Sequence, residues 1–247
     1  MLKYVCLALV LFACDLFSCD ITVRVEQYSA QSQKVTGRWQ GLDVELAELL
    51  LNEAHCEFDF VDLPWARSLK LLENGEIDLM MSVTKTDERE QFAYFVGPQR
   101  FETLVFVSPP MKEEITQIEQ LFSLDNPVAI QTGSFYGETF MNTLHMSAKN
   151  EGKVVWVTNN HTKDTLLKSK RISGYLEAKL NVLFEQQQGT AMPNLKIHPL
   201  IVNKAAVYFA FSKKSVSKNL YNTIEKAFNK LQNNGKIEAI LTKYGVS

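Results

Sequence analysis

The stretch Pro64–Arg89, PWARSLKLLENGEIDLMMSVTKTDER, decides the fold. Its first part reads as a helix. Pro64 suits the first helical position, Gly75 suits the left-handed residue that closes a helix, and Trp65, Leu69 and Leu72 share a face between them. Ile77–Val83 is a near-continuous apolar run, the pattern of a strand covered on both faces. Thr86 then caps a short helix that carries Asp87 and Glu88 in its first turn.

The same alternation continues on both sides. Upstream, Ile21–Val25 and Phe58–Val61 read as strands, and Leu42, Leu46, Leu49, Leu50 and Ala54 form one face of a helix opened by Gly41. Downstream, strands are expected at 104–107, 128–130, 154–157, 172–175 and 206–211. Helices are expected from Ser134 to about Leu144 and over 163–169, 177–187, 216–233 and 236–244. The fold class is therefore α/β, arranged as two lobes of similar size with a cleft between them, and ligands in such sheets bind beyond the carboxyl ends of strands.

The chain has 247 residues, 46% of them hydrophobic, with 26 basic against 28 acidic residues and a net charge of −2, so it offers no basic field for nucleic acid. Lys3 followed by the apolar run Tyr4–Ala13 fits a secretory signal, since ten residues are too few to span a bilayer. The expectation is a signal peptide over 1–19 and export to the periplasm. Leu11–Cys14 and Leu16–Cys19 each look like a degraded lipoprotein box, which makes Cys14 or Cys19 the candidate lipid anchor. With Cys6, Cys14 and Cys19 assigned to the leader, Cys56 stands alone as a buried thiol and no internal disulfide is expected. The four His are scattered without metal-ligand spacing, and no cofactor or catalytic motif is present.

Two segments carry binding chemistry. In Ser82-Val-Thr84-Lys-Thr86-Asp-Glu-Arg89, hydroxyls, a helix start and an arginine follow a buried strand, which makes an anion site; the alternative is a cap whose Arg89 pairs with Asp87, Glu88 or Glu90 at the surface. Gln131-Thr132-Gly133-Ser134 repeats the pattern of strand, glycine turn and helix start, where the glycine lets backbone approach a ligand. Trp65 can offer its ring to a ligand, and Arg67 can pair with a ligand or with Glu73 or Asp62. Glu26, Asp43 and Glu177 are the acids that could receive an ammonium group.

Several motifs in order resemble the family 3 extracellular solute-binding proteins, the polar amino-acid receptors of ABC importers. They are Gly41-Leu-Asp43-Val-Glu45, Pro64-Trp65-x-Arg67, Gly75-Glu-Ile-Asp78, Ser82-x-Thr84-x-Thr86-x-Glu88-Arg89, Phe95-x-x-Pro98, Gln131-x-Gly133-Ser134 and the closing Gly235 to Gly245 segment. The resemblance implies a type 2 periplasmic-binding fold with two hinge crossover strands, near Thr103–Ser108 and Ala206–Ser212. Lobe 1 would comprise 20–105 plus 209–247, and lobe 2 would comprise 106–208. It implies that Arg89 clamps a ligand carboxylate beside Ser82 and Thr84, that Trp65 packs on the ligand, and that Thr132 and Ser134 close from lobe 2. It also implies a monomer that binds a small molecule, is not an enzyme, and serves an inner-membrane ABC permease. At one point the chain departs from the pattern: the lobe 2 acid that receives an α-ammonium falls at Ala178, with Glu177 one residue away. The same architecture would also serve a sensory receptor with a separate membrane partner, or a cyclohexadienyl-dehydratase-like enzyme using Glu26 or Glu177 as its acid.

Overall fold

The computed structural model describes residues 19–246. The apolar run Tyr4–Ala13 and the candidate anchor Cys14 lie outside them. The first part of the chain comprises β1 (Asp20–Val25), the hairpin β2 (Gln33–Val35) and β3 (Arg38–Gln40), α1 (Leu42–Glu53), β4 (Glu57–Asp62), α2 (Trp65–Asn74), β5 (Leu79–Thr84) and α3 (Asp87–Phe92). A long strand, β6 (Ala93–Ser108), leads to α4 (Ile118–Leu121), β7 (Val128–Gln131), α5 (Glu138–His145), α6 (Ala148–Glu151), β8 (Val154–Val157), α7 (Asn160–Lys168), β9 (Gly174–Ala178) and α8 (Lys179–Gln188). A second long strand, β10 (Lys196–Ser212), returns to α9 (Lys218–Asn233) and α10 (Lys236–Lys243).

The strands order as β4-β1-β5-β10-β6-β9-β7-β8. Parallel ladders join β1 to β4 and β5, and β7 to β8 and β9, while β10 and β6 run antiparallel to each other down the middle. The buried apolar clusters divide along the same line. One pair draws on residues between 21 and 96 and between 209 and 241, and the other on residues between 105 and 202. Two cores joined by two strands make a two-lobed protein.

The hinge is shorter than the sequence suggests. Strand β5 flanks β10 at Val207 to Phe211, and β9 flanks β6 at Leu104 to Val107. Only residues 101–103 and 204–206 form a bare two-stranded link, so most of the expected crossings already lie inside the lobes, flanked by β5 or β9. Phe101 in this link is 63% exposed, so an apolar residue here does not mark a buried face.

Local capping follows the sequence in lobe 1. Gly75 closes α2 in the left-handed region at φ 80°, and the Thr86 hydroxyl accepts the Arg89 N–H at 3.3 Å to cap α3. In lobe 2 it does not. Helix α5 starts at Glu138 rather than Ser134, so Ser134 is not at a helix N-terminus. Glu177 lies inside strand β9 (Gly174–Ala178) rather than opening a helix.

Cys19 forms a disulfide with Cys56, which corrects the expectation of a lone thiol and of Cys19 as leader or lipid anchor. The cause is register. Strands β1 and β4 pair in parallel from Asp20 opposite Glu57, so the preceding residues of each strand fall side by side, with Cα atoms 4.6 Å apart. A sulfur held in a disulfide has no thiolate left to lipidate. Among the described residues no helix is long and apolar enough to cross a membrane.

Candidate functional site

A cavity of about 70 Å³ lies between the lobes, lined by residues from both. A water needs roughly 10–15 Å³ on this measure, so the space admits a small solute. Lobe 1 supplies Arg24, Glu26 and Tyr28 from the carboxyl end of β1, Asp43 from α1, Trp65 from α2, Ser82 and Thr84 from β5, and Arg89 from α3. Glu102 comes from the hinge. Lobe 2 supplies Gln131, Ser134, Lys163 and Glu177.

Arg89 is buried, 7% exposed, although it sits on a short surface helix. Its guanidinium donates to the Thr84 carbonyl at 2.8 Å and to the Gly133 carbonyl of lobe 2 at 2.9 Å. Among the described residues it forms no ion pair. Burial away from water lowers its pKa to about 10, and the charge of Glu88 only partly opposes this, so it remains a cation at neutral pH. A buried cation that meets only carbonyl dipoles has the chemistry to receive an anion.

The Trp65 indole N–H donates to the same Gly133 carbonyl, at 3.1 Å. Gly133 thus approaches lobe 1 itself. A Cβ there would stand 3.2 Å from Leu69 and 3.4 Å from Ala66, and its φ of 79° is one that side chains resist. Arg24 lies over the Trp65 ring, 5.3 Å from its centre, donates to the Leu63 carbonyl at 2.9 Å and pairs with Glu26. Burial lowers the Arg24 pKa and raises that of Glu26.

A third group spans α1, β5 and the hinge. Arg100 donates to Asp43 at 2.8 Å and to Glu102 at 3.2 Å. Ser82, at φ 56°, donates its hydroxyl to Asp43 at 2.7 Å and accepts from Arg100 at 2.9 Å. The Ser82 hydroxyl is therefore committed to structure rather than free to donate to a solute. In lobe 2, Lys163 pairs with Glu177 at 2.9 Å, both nearly buried. Tyr28 donates across the cleft to Glu177 at 2.5 Å, so the lobes touch around the cavity.

Of the residues singled out from sequence, Glu26, Asp43, Trp65, Ser82, Thr84, Arg89, Gln131, Ser134 and Glu177 line the cavity. Arg67 does not; it is exposed on α2, because Trp65 takes the inward face of that helix and Arg67 lies two positions on. Thr132 is also off the lining, its backbone N–H bound to the Val157 carbonyl at 2.8 Å. Sequence reasoning missed Arg24, Tyr28, Glu102 and Lys163. The rule that ligands lie beyond strand carboxyl ends, applied to β1, points to residues 26–28. Lys163 has no such signal, being one lysine within a polar helix. Among the described residues no group of three or more His, Cys, Asp or Glu side chains is placed to hold a metal.

This fold and cleft are those of a solute-binding protein. The model of the bacterial extracellular solute-binding proteins, family 3, matches residues 21–247, and the chain belongs to that family. A relative named "Probable amino-acid-binding protein YxeM", from Bacillus subtilis (strain 168), is 24% identical over 217 residues, covering 85% of this chain and 78% of the relative. Among solved structures, an ancestral arginine-binding protein bound to arginine superposes with a TM-score of 0.76 at 20% identity, covering 91% of this chain and 97% of the other. An ancestral amino acid-binding protein that is a precursor of cyclohexadienyl dehydratase gives 0.75 at 20% identity, covering 91% and 95%. At these identities the two structures show the fold alone.

Proposed function

We propose that this protein is exported to the periplasm and captures a small carboxylate solute between lobes 20–105 plus 209–247 and 106–208, for delivery to an ABC permease. The observation that carries the reading is Arg89, a buried cation on the cavity wall with no ion-pair partner among the described residues. A carboxylate would take its free donors while lobe 2 closes through Gly133, so binding would favour the closed arrangement by contacts that the open one lacks. The Cys19–Cys56 disulfide supports an oxidising compartment, and an apolar leader ahead of Cys19 supports export through a signal peptide cleaved before that residue. Relatives named as amino-acid-binding proteins support a solute of amino-acid size. Membership of a binding-protein family supports binding without turnover.

The test is a thermal-shift screen of protein stripped of solutes by unfolding and refolding, against small carboxylates, amines and sugars. A carboxylate at about 100 times its dissociation constant adds about 2.7 kcal/mol, a readable rise in melting temperature. Hits confined to compounds without a carboxylate would overturn the reading.

A further inference from the structure

We propose that Glu102, on the hinge strand, receives a cationic group of the solute, so that this cleft selects carboxylates that also carry a positive charge. The proposal rests on the carboxylate-anchor reading of Arg89 and adds the opposite pole to it.

The acids on the wall are Glu26, Asp43, Glu102 and Glu177, and the cations that face or back them are Arg24, Arg89, Lys163 and Arg100. Arg24 pairs with Glu26 and Lys163 with Glu177, each one to one. Arg100 serves two carboxylates, Asp43 at 2.8 Å and Glu102 at 3.2 Å. Arg89 serves none among the described residues. The set is neutral as a whole, with one positive charge in excess at Arg89 and one negative charge in excess around Arg100. A solute with a carboxylate alone answers the first and leaves the second.

That negative excess falls at Glu102. Asp43 takes Arg100 on one oxygen and the Ser82 hydroxyl on the other. The donors to Glu102, Arg100 and the Gln31 amide at 3.0 Å, both reach Oε1, and Oε2 accepts no hydrogen bond from the described residues. The Glu102 side chain is also the most open of the wall acids, 19% exposed against 12% for Glu26. Across the two-stranded link it faces Ala205, also on the wall, whose methyl group leaves the carboxylate room. Burial, opposed by Arg100 and reinforced by Asp43 and Glu177, raises the Glu102 pKa; a cation at Oε2 would hold the group ionised. Lobe 2 offers less. Ala178 has no side-chain acceptor and is off the wall, while Glu177 holds Lys163 on one oxygen and the Tyr28 hydroxyl on the other.

The experiment measures, by calorimetry, pairs of carboxylates that differ by one positive charge. Three pairs place it beside the carboxylate: alanine and lactate, leucine and 2-hydroxyisocaproate, aspartate and malate. Two place it at the far end: arginine and citrulline, 5-aminopentanoate and hexanoate. In at least one series the charged member is expected to bind at least about tenfold more tightly, the lower end of what a hydrogen bond to a charged group contributes. The series that responds tells where on the solute the cation sits. Glu102→Gln should remove most of this ratio, and Lys163→Met with Glu177→Gln should leave most of it. Parity in every pair overturns this inference and leaves the anchor reading standing. So does a ratio that survives Glu102→Gln in folded protein, or one that only the lobe 2 double variant removes. Silence from every carboxylate, here and in the wider screen, overturns both. If Glu102→Gln does not fold, Glu102→Asp reads the same quantity, because it withdraws the charge by one methylene. The ratio should then fall, and an unchanged ratio overturns the assignment.

Discussion

Arg89 and Lys163 are both buried cations, and they face one cavity from opposite lobes. Lys163 meets a carboxylate of its own lobe at 2.9 Å, whereas Arg89 meets only carbonyl oxygens. The charge of Lys163 is answered within the protein, and that of Arg89 has no counter-charge paired with it among the described residues. A side chain of either kind looks alike in a burial map; the difference appears only when each donor is followed to its acceptor. Removing Arg89 should therefore damage binding, and removing Lys163 should damage the fold.

The largest effect is expected from Arg89→Ala, which should cost carboxylate affinity about 3–5 kcal/mol, the usual result of stripping one partner from a buried charge pair, with little loss of thermal stability. Arg67→Ala, exposed on α2 and off the cavity lining, is the control and should stay within about 0.5 kcal/mol in both affinity and stability. Calorimetry and melting curves on the two variants separate the anchor from the bystander.

Lys163→Met reverses the pattern. It leaves Glu177 buried without its cation and should destabilise the protein by about 3–5 kcal/mol, while Lys163→Met with Glu177→Gln should recover most of that loss. Denaturant unfolding of the two variants decides it. A single variant as stable as the wild type would mean that Lys163 is not the internal partner described here.

Cys19→Ser with Cys56→Ser should cost about 2–4 kcal/mol, since the bridge spans 37 residues of chain. Reductant should lower the melting temperature of the wild type and leave the double variant unmoved.

The smallest expected effect is on pH dependence. His198 is buried in lobe 2, accepts the Ile115 N–H on Nδ1 at 3.0 Å, and lies 2.8 Å from the Ser108 hydroxyl, which itself donates to the Pro109 carbonyl. These partners require the neutral ring, and burial together with Lys196 lowers its pKa. A depressed folded-state pKa contributes stability that is complete above the unfolded value, near 6.5, and is lost as pH falls through the folded one. Acidification below about 6.5 should therefore destabilise the wild type through His198, and His198→Gln should flatten that slope in melting curves taken across the range.

Much of lobe 1 was legible because its elements carry their own punctuation. Gly75 and Thr86 mark helix ends by backbone chemistry that acts locally, and Arg89 follows at a fixed offset from its cap. What was illegible depends on distant partners. The long strands β6 and β10 are held by pairing with each other, and in their middle the apolar Phe101 faces solvent, so hydrophobicity does not mark a buried face there. The Cys19–Cys56 bridge follows from a register between two strands that share no turn. Gly133 marked a close approach, but the neighbour is helix α2 of the other lobe, more than 60 residues away in the chain. Lys163 gains meaning solely from Glu177, on a separate element.

The most direct measurement compares the tightest carboxylate from the screen with its own carboxamide, by titration calorimetry on wild-type protein. The amide keeps size and shape and removes the charge that Arg89 awaits. The account predicts an affinity loss of at least about 100-fold, in keeping with a buried charge left unanswered. Equal affinities for acid and amide would contradict it, because Arg89 would then have no claim to be the anchor.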